Sequence, residues 1–286
     1  MARSNEDGYY VIRTYEAGPI GEKTKFFVPG KRPEGKLSSR QKSAIRKAEQ
    51  NEYSTQKALA RGINANFRTG DLLMGLDYND KGLQRVIDWG RDNGLPVDSE
   101  DETQRQDAIW EAASHELEIA LRRVKNRLKK QGLELKAYYC TSDMDGETGE
   151  IVRVHHHLVV NKGVENAFVE AWEKFGLGGV SWTPLRANQV DRTAIAEYFI
   201  KQVRRIPDAK KYRSTRNLVR PKPKNRVVYT DNELMVPKGG VLVYRQEYQN
   251  RLGVVTEYGN RQAQYIRYVL PGAAAVMHHP PEKTQE

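Results

Sequence analysis

Arg153-Val154-His155-His156-His157-Leu158-Val159-Val160-Asn161 is the segment around which the other elements of the chain can be ordered. β-Branched and apolar residues flank the histidines. Gly149 precedes the run and Asn161-Lys162-Gly163 follows it, the punctuation of a strand. A strand turns successive side chains to opposite faces. Val152, Val154, His156, Leu158 and Val160 are therefore expected on one face, and Arg153, His155, His157 and Val159 on the other. Two imidazoles two residues apart on one face can converge on one divalent metal. Alone, His-x-His is a weak signal, because half-buried strands whose histidines make ordinary hydrogen bonds produce it by chance. Its weight depends on what surrounds it.

Immediately upstream, Leu133 to Thr141 reads as a strand containing Tyr138, Tyr139 and Cys140. The acidic turn Asp143-Met144-Asp145-Gly146-Glu147-Thr148-Gly149 then joins it to the histidine strand as a hairpin. Before that hairpin comes the clearest helix. Ser99 with Glu102 three residues later resembles a capping box. Trp110, Ala113, Leu117, Leu121, Val124 and Leu128 recur at steps of three and four, and Gly132 stops the run. Asp71 to Tyr78 is expected as a further strand, and Gly82 to Arg91 as a short helix.

Downstream, Val164 to Phe175 is helical, with Phe168, Trp172 and Phe175 on one face. Val180-Ser181-Trp182 is a short strand. A helix from Asp191, its N-cap, to Ile206 buries Ile195, Phe199, Val203 and Ile206, while Tyr198, Lys201 and Arg205 share a second face. Lys210 to Arg226 is basic and, with Pro221 and Pro223, extended. Hairpin-joined strands with helices packed on them make an α+β fold with an antiparallel sheet. We divide the chain into an N-terminal arm with basic helices (1–62), a central domain (63–226), a β-rich extension (227–270) and a disordered tail (271–286). The arm carries hairpin-like runs around Gly18-Pro19, and a basic helical stretch from Ser38 or Ser39 to Gly62. The extension carries Val241–Tyr244, Val254–Thr256 and Tyr265–Val269.

With 286 residues the chain is long enough for a sizeable core, and its mean hydropathy of -0.76 is polar. No apolar run reaches the roughly 18 residues of a membrane span, and the N-terminus lacks the apolar core of a secretory signal. The single cysteine excludes an internal disulfide framework and a zinc finger, and fits a reducing cytoplasm. The net charge of +10 is concentrated: between Arg186 and Arg226 stand 13 Lys/Arg against three acids, so the remainder is balanced. A basic block in a neutral chain suggests a polyanionic partner, most simply nucleic acid.

Four features then need a common explanation: the His-x-His strand, the acidic turn before it, a helix with Tyr and Lys on one face, and the basic segment after it. Together they resemble the HUH endonucleases, specifically the rolling-circle replication initiators of plasmids and of small or filamentous phages. His155-His156-His157 matches the His-hydrophobic-His motif, with His156 at the usual apolar position. Tyr198-Phe199-Ile200-Lys201 matches Tyr-x-x-Lys. Leu76-Asp77-Tyr78 resembles the family's Leu-Thr-Tyr, and Tyr212 to Leu218 resembles its Tyr-x-x-Ser-Arg-Asn-Leu segment, with Thr215 for Ser. The similarity spans roughly residues 38 to 225.

The resemblance implies a DNA-nicking and strand-joining enzyme. His155 and His157 would ligate Mg²⁺ or Mn²⁺, with Asp143 as third ligand and Asp145 and Glu147 as competitors. Tyr198 would be the nucleophile and Lys201 would assist at the phosphate. Arg205, Lys210, Lys211, Arg213, Arg216 and Asn217 would contact single-stranded origin DNA. No Gly-x-x-x-x-Gly-Lys-Ser/Thr loop is present, so unwinding would fall to a host helicase, with a host polymerase extending the primer. The rivals are a non-catalytic DNA-binding protein, a water-using metallo-phosphodiesterase, and a relaxase or transposase of the same superfamily.

Overall fold

The histidine strand becomes β5 (Ile151–Val160), an inner strand of a five-stranded antiparallel sheet. Its neighbours are β3 (Leu72–Tyr78) and β4 (Ala137–Met144); β6 (Gly178–Pro184) and β7 (Arg213–Ser214) form the edges, giving the order β6-β3-β5-β4-β7. In this computed structural model the described residues are 8–28, 40–145, 147–203, 210–248 and 263–273, with backbone only for 40–52 and 248. Among them no helix is long and apolar enough to cross a membrane. The chain divides into two compact units, residues 66–219 and residues 1–65 with 220–286.

In the 66–219 unit the alternation read from the sequence holds from Val154 onward, whereas Val152, expected on the core face, is exposed at the start of the strand. Val154, His156, Leu158 and Val160 face the core beside Leu72, Met74 and Leu76. Onto that face pack α2 (Asp80–Asp92), α3 (Glu102–Lys130) and α4 (Glu165–Ala171). The apolar stripe of α3 is buried along its length, from Trp110 to Leu128. Its cap differs from the expected box: Asp101 is the N-cap and accepts from the Gln104 amide at 3.0 Å, while the Ser99 hydroxyl accepts from the Asp101 amide. A carboxylate one residue before the first helical turn reaches the free amides, and Ser99 lies too far back to do so. Gly82 lets α2 start against the Leu177 backbone, where a Cβ would collide with the carbonyl.

The opposite face of this sheet carries α5 (Thr193–Gln202), which buries Ala196, Phe199 and Ile200. Arg192 rather than Asp191 holds its cap position; the Asp191 carboxylate accepts from both the amide and hydroxyl of Thr193. Arg205 and Ile206 lie outside the described residues.

In the other unit, β1 (Tyr9–Ala17) and β2 (Ile20–Val28) form a hairpin around Gly18, whose φ of 59° a side chain would disfavour. The sheet continues with β8 (Lys224–Val228), β9 (Val241–Tyr248) and β10 (Ala263–Val269) in the order β8-β1-β2-β10-β9. The N-terminal arm and the C-terminal extension, separate segments in the sequence reading, thus share one sheet, and the boundary after β7 falls at 220 rather than 226. The basic stretch forms one helix, α1 (Arg40–Asn66). Its second half buries Leu59, Ala60 and Ile63, and sets Arg61 on Glu22 and Lys57 over the Tyr265 ring. Ser38, Ser39, the Val254–Thr256 run and the tail from 274 lie outside the described residues.

Candidate active site

The free face of the β3-β5-β4 sheet is built by register. Gly75 and Cys140 flank His157 as Cα partners, and Asp77 and Ser142 flank His155. All six therefore present their side-chain positions to the side that carries α5. The Ser142 hydroxyl donates to the Gln202 carbonyl at the end of α5, tying that helix to β4. This places the Tyr198 ring edge-on to His157, centroids 4.9 Å apart. The Tyr198 hydroxyl lies 3.4 Å from His157 Nε2, and His157 Nε2 lies 2.9 Å from His155 Nε2.

The tautomer of His155 follows from its partners. Its Nδ1 sits 2.9 Å from the Arg153 carbonyl, an acceptor, so Nδ1 carries the proton and Nε2 keeps a lone pair. His157 is packed among Tyr198, Phe199 and His155. Burial, with the neighbouring His155 adding to it, pushes its pKa down to about 3, so it is neutral at pH 7. An imidazole nitrogen with a free lone pair is what ligates a metal, and the two Nε2 atoms converge. Their separation suits adjacent ligands on one small cation, roughly 3 Å for metal–nitrogen bonds of about 2.1 Å at a right angle. The pair therefore fits a divalent ion as two ligands of an incomplete shell. Among the described residues no third His, Cys, Asp or Glu joins them in a group able to hold a metal.

Asp143 stands one step past Ser142, where the β4–β5 register shifts, and is 4% exposed. Asp145 is a turn former, its carboxylate accepting from the amides of Glu147 and Thr148, which hold its pKa below the ordinary value. Glu147 is exposed in the same turn. By register the acid directly across from His155 is Asp77, exposed, although its carboxylate does not close a ligand group with the two histidines here. The sequence contains Asp77, but strand pairing, which has no local signal, is what puts it there. Ser142 was missed for the same reason.

His156 turns to the core. It is fully buried, with Nε2 2.9 Å from the Tyr78 hydroxyl and Nδ1 3.2 Å from Thr141 Oγ1, which in turn accepts from Ser114. Burial first, then the flanking histidines, drive its pKa well below the usual value. A neutral imidazole with both nitrogens bonded is tolerated where an apolar side chain would otherwise pack.

Tyr198 is 40% exposed, and Lys201 is exposed one turn further along α5. Burial, followed by Cys140, Asp145 and Asp77, raises the phenol's pKa. The Cys140 thiol, enclosed behind His157, is pushed up to about 12 and stays protonated. Of the basic residues expected at DNA, Arg213 pairs with Glu118 at 3.1 Å, and Asn217 donates to Glu134 and to the Leu135 carbonyl. Lys210 and Arg216 are exposed, Lys211 is half-buried, and Arg205 lies outside the described residues. The structure thus gathers His155, His157 and Tyr198. Compared with known proteins, the chain matches no family model, no curated protein and no solved structure.

Proposed function

We propose that the chain is a metal-dependent endonuclease that nicks single-stranded DNA through a tyrosine nucleophile, acting as a rolling-circle replication initiator with an HUH-type catalytic unit. The observation that carries this is the approach of the Tyr198 hydroxyl to 3.4 Å from the His157–His155 pair. The two motifs lie about forty residues apart in sequence, on different elements, and the packing of α5 on the sheet brings them together.

His155 and His157 would hold Mg²⁺ or Mn²⁺, with Asp77 as the in-register carboxylate. A bound divalent ion would draw charge from the scissile phosphate and raise the electrophilicity of phosphorus. Tyr198 Oη attacks that phosphorus. The bond from phosphorus to the 3′ oxygen breaks, and the phenolic proton is balanced by the one gained at that oxygen. The products are a free 3′-hydroxyl and a 5′-phosphotyrosine link, which a later 3′-hydroxyl can reverse. Ser142 acts by holding the end of α5, and so the distance between Tyr198 and the pair. Lys201, exposed on that helix, offsets phosphate charge. The substrate would be the origin strand, opened by a host helicase.

The raised pKa of Tyr198 favours one second reading, a water-using phosphodiesterase in which the tyrosine only lines the site. One experiment separates them. Single strands tiling the replicon that encodes the chain are incubated with the protein and Mn²⁺. A protein–DNA adduct that survives SDS is expected from the wild type, and none from Tyr198→Phe or in EDTA. Cleavage without an adduct selects the phosphodiesterase; DNA binding with no cleavage in Mn²⁺ rejects both.

A further inference from the structure

Two basic segments far apart in sequence form the walls of one groove. The last turns of α3, from Arg122 to Lys130, contain no acid. Arg123 is paired with Glu116 and Arg127 with Glu170, but Lys125 and Lys129, one turn apart on the same side, are exposed and make no ion pair among the described residues. Across from them runs Ser214 to Asn217, the segment that leaves β7. The groove between has a volume of about 720 Å³ and a floor of Leu133, Leu135 and Tyr139. That volume lies in the range of ligand clefts, roughly 300 to 1,000 Å³.

The two lining carboxylates are already engaged. Glu118 accepts from the Tyr139 hydroxyl at 2.9 Å and from Arg213, and Glu134 accepts from Asn217. Lys125, Lys129 and Arg216 line the groove with no ion pair among the described residues. They are spread along an open trough rather than gathered at a point, which suits successive phosphates better than one small anion. Leu133 is 47% exposed at its floor, an apolar surface on which a base can lie. The trough is reached from the catalytic face around β7, an edge strand of two residues. That edge is two strands from His157, roughly 10 Å at ordinary strand spacing.

We infer that this groove is a second binding site for the single-stranded DNA, holding the strand where it has passed around the β7 edge from the scissile phosphate. The inference rests on the nicking reading for the identity of the strand. Lys125→Glu combined with Lys129→Glu tests it, with Lys81→Glu combined with Arg85→Glu as an equal change of charge on the exposed side of α2. Binding of a long single-stranded oligonucleotide is measured by fluorescence anisotropy in EDTA across a salt series. The α3 variant should bind about tenfold more weakly, with a salt slope smaller by about 1.4, from two lost contacts at about 0.7 each. The α2 variant should keep the wild-type slope. Circular dichroism melts establish that each variant is folded; Lys125→Gln with Lys129→Gln replaces the first if it is not. An unchanged slope in the folded α3 variant, or an equal loss in the α2 variant, overturns the groove. Adduct formation on a short strand spanning only the cleaved bond reports on the nicking reading separately, and should be the same in wild type and the α3 variant. A slope loss confined to the α3 variant, with no adduct from any protein, would leave the groove standing and remove the nicking reading.

Discussion

At the scale of single residues, the proposed chemistry turns on which carboxylate accompanies two histidines. The alternation along β5 was legible because a period of two needs only the strand itself, and His155, His156 and His157 fall on the sides it assigns. The identity of the nearby acid was not legible, because it depends on which strand lies alongside. Asp77 is across from His155, and Asp143 sits beyond a shift of register. Asp77→Asn should therefore raise the Mn²⁺ concentration for half-maximal adduct formation by at least about tenfold, and Asp143→Asn by less. Equal half-saturation in wild type and Asp77→Asn would remove Asp77 from the metal. A second residue gives a pH dependence. Lys57 has its Nζ 3.0 Å from the centroid of the Tyr265 ring, and burial lowers its pKa from 10.5 to about 7, Glu22 opposing and Arg61 and Arg267 assisting. Between about pH 7 and 10.5 the unfolded chain holds a proton there that the folded chain lacks, so stability rises with pH across that window. Tyr265, its pKa raised by burial and Glu22, opposes this only above pH 10. The difference in Tm between Lys57→Met and wild type should therefore shift in favour of wild type from pH 7 to 10. Parallel curves would contradict it.

At the scale of elements, periodicity carried the helices and left their ends open. The stripe of α3 is one of three- and four-residue steps and is buried throughout, but its first turn is capped by Asp101 and not by Ser99. Several polar residues precede that helix, and the backbone path, not composition, selects among them. Asp101→Ala should cost about 1 kcal/mol in chemical denaturation, the usual value of an N-cap, and Ser99→Ala clearly less. Equal losses would mean that the two side chains cap jointly. The short helix α5 shows the same division. Its buried face, with Phe199 and Ile200, follows from spacing, whereas the bond from Ser142 that aims Tyr198 could be seen only with β4 in place.

At the scale of the whole molecule, the class was legible and the partition was not. Hairpins and intervening helices announce α+β, and both sheets are antiparallel. The pairing of β2 with β10, between chain segments some 240 residues apart, leaves no trace in local sequence. Residues 66–219 contain an uninterrupted sheet and its own buried core. That fragment should therefore express as a soluble protein with a single cooperative thermal transition, measured by calorimetry. A non-cooperative melt would show that its core depends on the remainder of the chain.

The stitching of one sheet from both ends of the chain has a consequence during synthesis. The β1–β2 hairpin leaves the ribosome well before its partners β8, β10 and β9, which come only after the whole 66–219 segment has been made. At roughly 5–20 residues per second, that interval is on the order of ten seconds or more. For that time both edges of a two-stranded ribbon bearing Tyr9, Phe26 and Phe27 stand open to any passing strand, while the inserted segment has time to fold. A nascent chain of this design is most exposed to mispairing at this hairpin, and a chaperone that shields residues 9–28 would protect it most.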